Sequence, residues 1–328
     1  MPTPSFPSRR AILALGAAGA LLPGTGRAQP SVAAGPVTIV VPYGAGTGPD
    51  TLARLVASVL QARLGQSVVV DNRPGASGNI ASQAVARSAP DGRTLLMQTT
   101  PFVINPALFK QVPYDPVNSF TAIAEVAKGV LLLAVRSDLG VSTLAEFIAK
   151  AKAKPGGIDY ASPGIGTPQH LSMALLDHAA GLQLNHVPYR TSPPAIQDLL
   201  GGRIPAMALP VHTAVPLARD GQIRMLALFS DNRAEIAPDV PTMAEAGQPG
   251  LSSDNWYGLM GPAGMPRELV TPINAAINAW LAEPRTREAL MGQGLLPAPN
   301  TPDAFAALIA SDLQRWATVI REAGITAE

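Results

Sequence analysis

A glycine-rich segment, VPYGAGTGPD, spans residues 41–50 and separates an apolar run from a helical pattern. Gly44, Gly46 and Gly48 therefore stand where a strand becomes a helix. Main-chain N–H groups and the helix dipole favour negative charge at such a position, and glycine lets the backbone approach a ligand closely. The segment predicts an anion site for a nucleotide phosphate or a substrate carboxylate, unless the glycines serve only the turn.

Two further junctions have a similar composition. Thr99–Thr100 ends another apolar run, and SPGIGTPQH covers residues 162–170, where Thr167 is a good N-cap and Pro168 suits the first helical position. Each junction alone is compatible with ordinary turn chemistry. Because ligands of open α/β sheets bind beyond the carboxyl ends of the strands, the three junctions together predict one anion-recognising cleft.

The sequence patterns that would indicate a catalytic or metal-binding site are weaker. His170, His178 and His186 recur every eight residues. The first two belong to one predicted helix, about 80° apart around its axis, and the third belongs to a strand. The motifs H-E-x-x-H and G-x-S-x-G are absent from the sequence. We therefore expect structural histidines and no catalytic or metal-binding residue. His170, three residues after Thr167, either reaches the cleft or only caps the helix or packs.

The segment GAGTG is also compatible with an exported, dinucleotide-dependent oxidoreductase. It follows a strand and opens a helix, and Asp71 ends the next strand, as a ribose-binding acid does in a Rossmann unit. The fingerprint G-x-G-x-x-G starting at Gly44 requires glycine where Pro49 stands, however. The oxidoreductase stays the alternative hypothesis, although the spacing disfavours it.

Strands and helices alternate around these junctions. Strand VTIVVP, a helix after Asp50, strand SVVVDN, helix NIASQAVARS and strand TLLMQT form a βαβαβ series, which predicts a parallel sheet with helices on its faces. Two strand-like runs within residues 120–137 interrupt this series, and a second α/β series follows. We predict that residues 29–130 and 254–328 form domain 1, that residues 131–253 form domain 2, and that the ligand cleft lies between them.

The first 28 residues have the pattern of a secretory signal peptide. Arg9 and Arg10 in SRRAIL resemble the twin-arginine export motif, an apolar run follows from Ala11 to Leu22, and the cleavage site is expected near Ala28. The apolar run is shorter than the stretch of about 20 residues that spans a bilayer. The sequence therefore predicts an exported, soluble protein in the periplasm.

Composition restricts the partners and sites. Without its first 28 residues the chain keeps 21 basic and 23 acidic residues, a net charge of −2, so no basic face for nucleic acid is expected. The sequence has no cysteine, and therefore no disulfide, thiol nucleophile or cysteine metal ligand. A hydrophobic content of 47% is ample for packed cores. We expect a monomer without a cofactor or metal.

The order and spacing of many short motifs resemble the Bug-type periplasmic substrate-binding proteins of tripartite tricarboxylate transporters. The motifs run over nearly the whole chain after residue 28 and include VPYGAGTGPD, LGQSVVVDNRPGASGNIA, APDGRTLLM, KAKPGGIDYASPGIGTPQHL, HVPYR, APDVPTMAEAG and NWYGLMGPAG. The resemblance implies a two-domain α/β binding protein of the Venus-flytrap, type II-like kind, in which each domain is a sheet flanked by helices. It also implies a receptor, not an enzyme, that binds a small carboxylate and delivers it to a membrane permease.

The resemblance further implies that the first turn and the SPGIGT turn face each other across the cleft and hold the carboxylate by main-chain N–H groups and short hydroxyl side chains. The predicted ligand-binding residues are Tyr43, Gly44, Ala45, Gly46, Thr47, Thr99, Thr100, Ser162, Gly164, Gly166, Thr167, His170 and Leu209.

The sequence departs from the family pattern after DLLGG. The usual continuation is V-D-L-M-F-D-N, whereas Pro205 and Leu209 stand here in place of the two aspartates. We expect a more apolar wall at Leu209. Because a buried ammonium needs an acceptor, we also expect a preference for carboxylates without a charged amine, such as linear di- or tricarboxylates or an aromatic acid.

Overall fold

The computed structural model describes residues 35–65, 67–322 and 324–326. The predicted signal peptide and its cleavage site lie outside these ranges. Within them, the strands are β1 (Val37–Val41), β2 (Val68–Asn72), β3 (Thr94–Thr99), β4 (Phe120–Gly129), β5 (Leu131–Arg136), β6 (Asp159–Ser162), β7 (Asn185–Pro188), β8 (Ala206–Pro210), β9 (Ile223–Leu228), β10 (Asn255–Pro262) and β11 (Leu295–Pro297). The α-helices are α1 (Gly48–Leu64), α2 (Asn79–Ala86), α3 (Pro101–Leu108), α4 (Leu144–Ala153), α5 (Pro168–Ala179), α6 (Ser192–Leu200), α7 (Val211–Arg219), α8 (Arg267–Leu281), α9 (Pro284–Met291) and α10 (Pro302–Glu322).

The strands form two mixed sheets. The first has the strand order β11-β4-β10-β3-β1-β2, and the second has the order β7-β6-β8-β5-β9. β1 pairs in parallel with β2 and β3, and β6 pairs in parallel with β7 and β8. β10 runs antiparallel between β3 and β4, and β5 runs antiparallel between β8 and β9. The predicted α/β architecture of two sheets flanked by helices is confirmed.

This pairing brings several chain segments to one edge of the first sheet. β1 and β3 end at the same edge because they are parallel, and β10 begins there because it is antiparallel to β3. The register places Tyr257 opposite Thr99, and Asn255 and Leu295 both opposite Gly129. Five strands therefore end or begin around one region.

The chain passes twice between the sheets. Val130 is the single residue between β4 and β5, and residues 229–254 lead back from β9 to β10. Leu131 starts β5 opposite Pro210, the last residue of β8. The strands of each sheet fall within the ranges predicted for the two domains, while the division into domains itself stays a prediction.

Buried apolar faces hold the helices against the sheets. On α1, Leu52, Val56 and Leu60 recur at helical spacing and are each at most 2% exposed, so that burial of each contributes about 1.5–3 kcal/mol. The helix ends at Gly65, whose φ of 67° is the left-handed conformation that glycine adopts most easily. None of the described helices combines the length and the apolar character needed to cross a bilayer.

Four elements are missing from the sequence prediction: α3, α7, α9 and β11. Pro106 lies inside α3 and Pro216 inside α7, and an interior proline normally argues against a helix. β11 has only three residues. Because α3, α7 and β11 all border one cavity, the sequence prediction missed part of its wall.

Candidate ligand-binding site

A cavity of about 400 Å³ lies where strand ends of both sheets meet, within the roughly 300–1,000 Å³ usual for small-molecule sites. The segments of the first sheet contribute Tyr43, Thr47, Pro49, Ser77, Thr99, Pro101, Asn105, Leu108, Phe109, Gly129, Asn255, Tyr257, Gly294 and Leu295. The connection at residue 130 and the segments of the second sheet contribute Val130, Leu131, Ile165, Gly166, Thr167, Pro168, Gln169, Pro210 and His212.

The first turn, residues 44–50, joins β1 to α1. The Thr47 hydroxyl donates to the Gly44 carbonyl oxygen at 2.7 Å, and the Gly46 N–H donates to Asp50 Oδ2 at 2.8 Å. Gly46 adopts a φ of 80°, which is strained for any residue with a Cβ. The two hydrogen bonds close the turn on itself directly before the helix.

The second turn, residues 164–170, joins β6 to α5 and repeats this arrangement. The Thr167 hydroxyl donates to the Gly164 carbonyl oxygen at 2.8 Å, and the Gly166 N–H donates to His170 Nδ1 at 3.0 Å. Gly166 adopts a φ of 75°. In both turns a threonine follows the first glycine by three residues and a side-chain acceptor follows it by six.

The two side-chain acceptors differ in charge. Asp50 also accepts from Arg54 Nε at 3.1 Å and from Asn72 Nδ2 at 3.0 Å, and its hydrogen bonds, that with Arg54 first, lower the pKa of Asp50 to about 2. His170 is buried and stacks on His186 with 3.8 Å between ring centroids. Burial, aided by His186, lowers the pKa of His170 to about 3. A carboxylate therefore closes the first turn, and a neutral imidazole closes the second.

Both turns keep main-chain donors for a ligand. Among the described residues, no acceptor bonds the N–H groups of Ala45, Gly48 and Ile165, and all three residues are exposed. Ala45 and Ile165 occupy the same place, between the two glycines of their turns. Since α1 and α5 begin beside these groups, the helix dipoles add partial positive charge there.

The cavity wall carries no fixed charge. Of the described residues that line it, none is Asp, Glu, Lys or Arg. Burial raises the pKa of Tyr43 to about 12, and its hydroxyl lies 3.0 Å from Thr99 Oγ1. Burial also raises the pKa of Tyr257, and partial burial lowers that of His212. The cavity thus offers hydrogen-bond donors and acceptors in a wall that is neutral above the pKa of His212.

The predicted site residues occupy three kinds of position. Those that line the cavity are Tyr43, Thr47, Thr99, Gly166 and Thr167. Those that complete the same turns are Gly44, Ala45, Gly46 and Gly164. Those buried behind the cavity wall are Thr100, Ser162 and His170. Contact of these residues with a ligand stays a prediction.

Leu209 does not line the cavity, although the sequence analysis expected it in the wall of the ligand site. Side chains alternate along β8, so Leu209 is buried in the core of the second sheet, opposite Leu132. Pro210, one position later, borders the cavity instead. The apolar wall expected at this strand is therefore supplied by the proline.

The sequence prediction missed His212, Asn255 and Tyr257, all of which line the cavity. His212 stands in the first turn of α7, which the apolar spacing within residues 211–215 would have indicated. Asn255 and Tyr257 carry no local signal, because they reach the cavity only through the antiparallel pairing of β10 with β3 and β4.

A serine and a histidine lie within hydrogen-bonding distance behind the second turn. Ser162 Oγ is 2.7 Å from His186 Nε2 and accepts from the Gly164 N–H at 3.2 Å. Ser162 is 0% exposed and does not border the cavity, whereas a nucleophile must reach its substrate. The pair therefore supports the turn. The described part of the chain also has no cluster of three His, Asp or Glu side chains placed to hold a metal.

Sequence comparison finds relatives over most of the chain. The model of the tripartite tricarboxylate transporter family receptors matches residues 52–325. Protein BugT of Bordetella pertussis is 36% identical over 291 residues, which cover 88% of this chain and 89% of that protein.

Structure comparison finds similar folds with bound acids. The structure of R. palustris Rpa4515 with adipate has a TM-score of 0.74 and 34% identity, and the match covers 88% of this chain and 97% of that one. MatC from Rhodopseudomonas palustris with bound malate has a TM-score of 0.71 and 32% identity, with 87% and 98% covered. The similarity thus extends over almost the full length of both structures.

Proposed function

This chain belongs to the receptor family of tripartite tricarboxylate transporters, and we propose that it binds a small carboxylate in its cavity and delivers it to the membrane permease of such a transporter. The observation that carries the proposal is the repeated turn: one closed turn from each sheet borders a single cavity and keeps unused N–H groups. A carboxylate there receives charge-assisted hydrogen bonds without a salt bridge. The family is one of solute-binding receptors rather than enzymes.

The cavity wall also restricts the body of the ligand. Leu108, Phe109, Leu131, Ile165 and Leu295 offer apolar contact. An ammonium group would enter without an anionic partner, at a cost of several kcal/mol. We therefore propose a linear di- or tricarboxylate or an aromatic acid in preference to an amino acid. Adipate and malate, which the two similar structures contain, both lack an amine.

Thermal unfolding with a panel of acids tests this proposal. The mature protein, freed of co-purified ligand, is heated with succinate, adipate, citrate, terephthalate, aspartate and glutamate. A ligand at 100 times its Kd adds about 2.7 kcal/mol to the free energy of unfolding, which raises Tm by several degrees. Calorimetry then gives each Kd. Tight binding of aspartate or glutamate with the other acids silent would contradict the ligand class, and silence of the whole panel would contradict carboxylate binding.

Two exposed isoleucines provide a matched pair of variants. Ile165 is 50% exposed and lines the cavity, whereas Ile80 is 55% exposed on α2 and does not line it. We expect Ile165→Glu to abolish binding of every acid, because its carboxylate competes for the N–H groups of the second turn. Ile80→Glu should leave each Kd unchanged. Equal affinities in the two variants would place the ligand elsewhere.

We further propose that the receptor releases its ligand chemically unchanged. The ligand recovered after long incubation should therefore be intact. Asp71, the candidate ribose-binding acid of the oxidoreductase hypothesis, pairs with Arg73 at 2.7 Å and does not line the cavity. Stoichiometric NAD binding would support that alternative instead.

The proposal includes export to the periplasm by the twin-arginine route and action there as a monomer. Its basis is the N-terminal sequence with Arg9 and Arg10. Replacing both arginines with lysine should leave the precursor in the cytoplasm. Normal delivery in a strain without the twin-arginine translocase would show that the general secretory route suffices. Light scattering of the mature protein checks the oligomeric state.

A further inference from the structure

The cavity extends along one edge of the first sheet. Tyr43 follows β1, Thr99 ends β3, Asn255 begins β10, Gly129 ends β4 and Leu295 begins β11, and all five residues line the cavity. These strands are consecutive neighbours in the sheet, and the first turn leans along their row, since a Cβ on Gly48 would lie 3.4 Å from the hydroxyl of Tyr257 on β10. The first turn lies at the β1 end of this row.

His212 lies at the opposite end of the row. It stands in the first turn of α7 and lines the cavity. Its ring packs against Gly294, the residue before β11: a Cβ on Gly294 would lie 2.1 Å from His212 Nδ1. Only glycine leaves room for the ring at this place, so Gly294 fixes the ring beside the β11 end of the cavity.

We propose that this receptor selects dicarboxylates with an extended or aromatic spacer, holding one carboxylate at the two turns and the other on the protonated ring of His212. The inference rests on the proposed carboxylate-binding function and narrows it. Of the described residues that line the cavity, His212 alone can become cationic near neutral pH. Because His212 lies beyond the far strand of this row, the two-carbon spacer of succinate should reach it less well than the four- and six-carbon spacers of adipate and suberate.

The free protein disfavours the charged form of this ring. Partial burial lowers the pKa of His212, and the dipole at the start of α7 acts in the same direction. The other titratable groups of the cavity, Tyr43 and Tyr257, stay neutral because burial raises their pKa. A carboxylate of the ligand is therefore the anion that can stabilise the charged ring.

Charged side chains on the neighbouring helices stay outside the cavity. α9, which leads to Gly294, carries Arg285, Arg287 and Glu288, and none of them lines it. On α7 itself, Arg219 lies at the far end of the helix. Binding of the second carboxylate should therefore raise the pKa of His212 and take up a proton from solution.

The sign of the resulting pH dependence follows from this proton uptake. Below the pKa of the free ring, His212 is already charged, so it adds no pH dependence to the ligand affinity. Between the pKa of the free ring and that of the bound ring, affinity falls as pH rises, by at most tenfold per pH unit. Hexanoate, which matches adipate in length but lacks the second carboxylate, should bind without proton uptake by this ring.

Calorimetry between pH 6 and pH 8.5, in two buffers of different ionisation enthalpy, tests the inference with succinate, adipate, suberate and hexanoate. Adipate and suberate should bind more tightly than succinate and take up protons. At pH 6, His212→Gln should weaken adipate about 10- to 100-fold and leave hexanoate unchanged. His212→Lys should restore adipate affinity without the pH dependence. The matched control is His178→Gln, because His178 pairs with Glu322 at 3.1 Å and does not line this cavity.

The outcomes separate the inference from the function on which it rests. Equal adipate affinity in wild type and His212→Gln, without proton uptake, would overturn the role of His212 while the carboxylate receptor stands. Tighter binding of succinate than of adipate and suberate would overturn the spacer length. Failure of all four acids to bind the wild type would contradict the proposed function itself.

Discussion

The turns at residues 44–50 and 164–170 share one hydrogen-bonded frame but differ in the chemistry that closes it. In each, a threonine hydroxyl bonds back to the first glycine, and the second glycine donates its N–H to a side chain before the helix. The acceptor of the first turn is the ionised Asp50, supported by Arg54. The acceptor of the second is the neutral His170, stacked with His186. The spacing of glycine and threonine thus defines the frame, and the acceptor can be charged or neutral.

The surroundings of the two turns differ as much as their acceptors. A Cβ on Gly46 would meet no atom within 4 Å, whereas a Cβ on Gly166 would lie 2.3 Å from Leu108 Cδ1. Leu108 ends α3, on the side of the first sheet, so the second turn is packed against the other half of the molecule. The second turn should therefore tolerate substitution less well than the first.

The largest difference is expected between Gly166→Ala and Gly46→Ala. Both substitutions place a Cβ on a backbone with positive φ, which costs about 1–2 kcal/mol. Gly166→Ala adds the clash with Leu108, and overpacking costs about 1–3 kcal/mol more. We expect losses in the free energy of unfolding of about 2–4 kcal/mol for Gly166→Ala and about 1–2 kcal/mol for Gly46→Ala. Urea denaturation measures both, and equal losses would show that the leucine methyl moves aside without cost.

Acid should affect the second turn before the first. Burial lowers the pKa of His170 from 6.5 in the unfolded chain to about 3 in the folded protein. The unfolded state therefore binds more protons, and the free energy of unfolding falls as pH drops below 6.5. The free energy of unfolding falls by at most about 1.4 kcal/mol per pH unit, or by about 2 kcal/mol from pH 6.5 to pH 5. The pKa of Asp50 is 3.8 in the unfolded chain and about 2 in the folded protein, so Asp50 lowers the free energy of unfolding only below pH 3.8.

Two variants resolve these contributions in urea titrations between pH 7 and pH 5. His170→Asn keeps an acceptor for the Gly166 N–H but removes the titrating ring, so its stability should depend less on pH than that of the wild type. Asp50→Asn is the matched control and should keep the wild-type slope in this window. An unchanged slope in His170→Asn would assign the acid sensitivity to His186, whose pKa burial lowers to about 4.

The sequence predicts both turns because their signals are local. Glycine spacing, Thr167 and Pro168 each act within a few residues, and apolar runs before them identify β1 and β6. The acceptor roles of Asp50 and His170 depend on the same short spacing, but they were not predicted, because the fold of the turn itself directs each side chain back to a glycine N–H.

The remainder of the site depends on long-range pairing. Asn255 and Tyr257 reach the cavity because β10 inserts between β3 and β4, which no local pattern indicates. Leu209 and Pro210 differ by one position in a strand, and only the register of β8 decides which of them borders the cavity. His212 was missed with its helix, since Pro216 obscured the apolar spacing of α7.

Smaller effects are expected from the threonines. Thr167 Oγ1 donates to Gly164 and also accepts from the His170 N–H at 3.3 Å, so it caps α5, whereas Thr47 has no such capping bond. Thr167→Val should therefore lower the free energy of unfolding by about 1–2 kcal/mol, and Thr47→Val by about 0.5–1 kcal/mol. Thermal unfolding of the free proteins measures both losses. A larger loss in Thr47→Val would contradict the assigned cap.

The smallest effect should come from Arg54, which has no counterpart in the second turn. Its guanidinium pairs with Asp50 at 3.0 Å, but the arginine side chain is 55% exposed, so solvent screens the pair. The Gly46 N–H and Asn72 continue to bond Asp50 when the arginine is replaced. We therefore expect Arg54→Gln to lower the free energy of unfolding by about 0.5 kcal/mol or less and to leave ligand affinity unchanged. Urea denaturation at low and high salt checks this, since the loss should shrink further as salt rises. A loss above about 1 kcal/mol would mean that the ion pair, rather than the main-chain hydrogen bond, holds the first turn closed, and the two turns would then differ in their frame as well as in their acceptor.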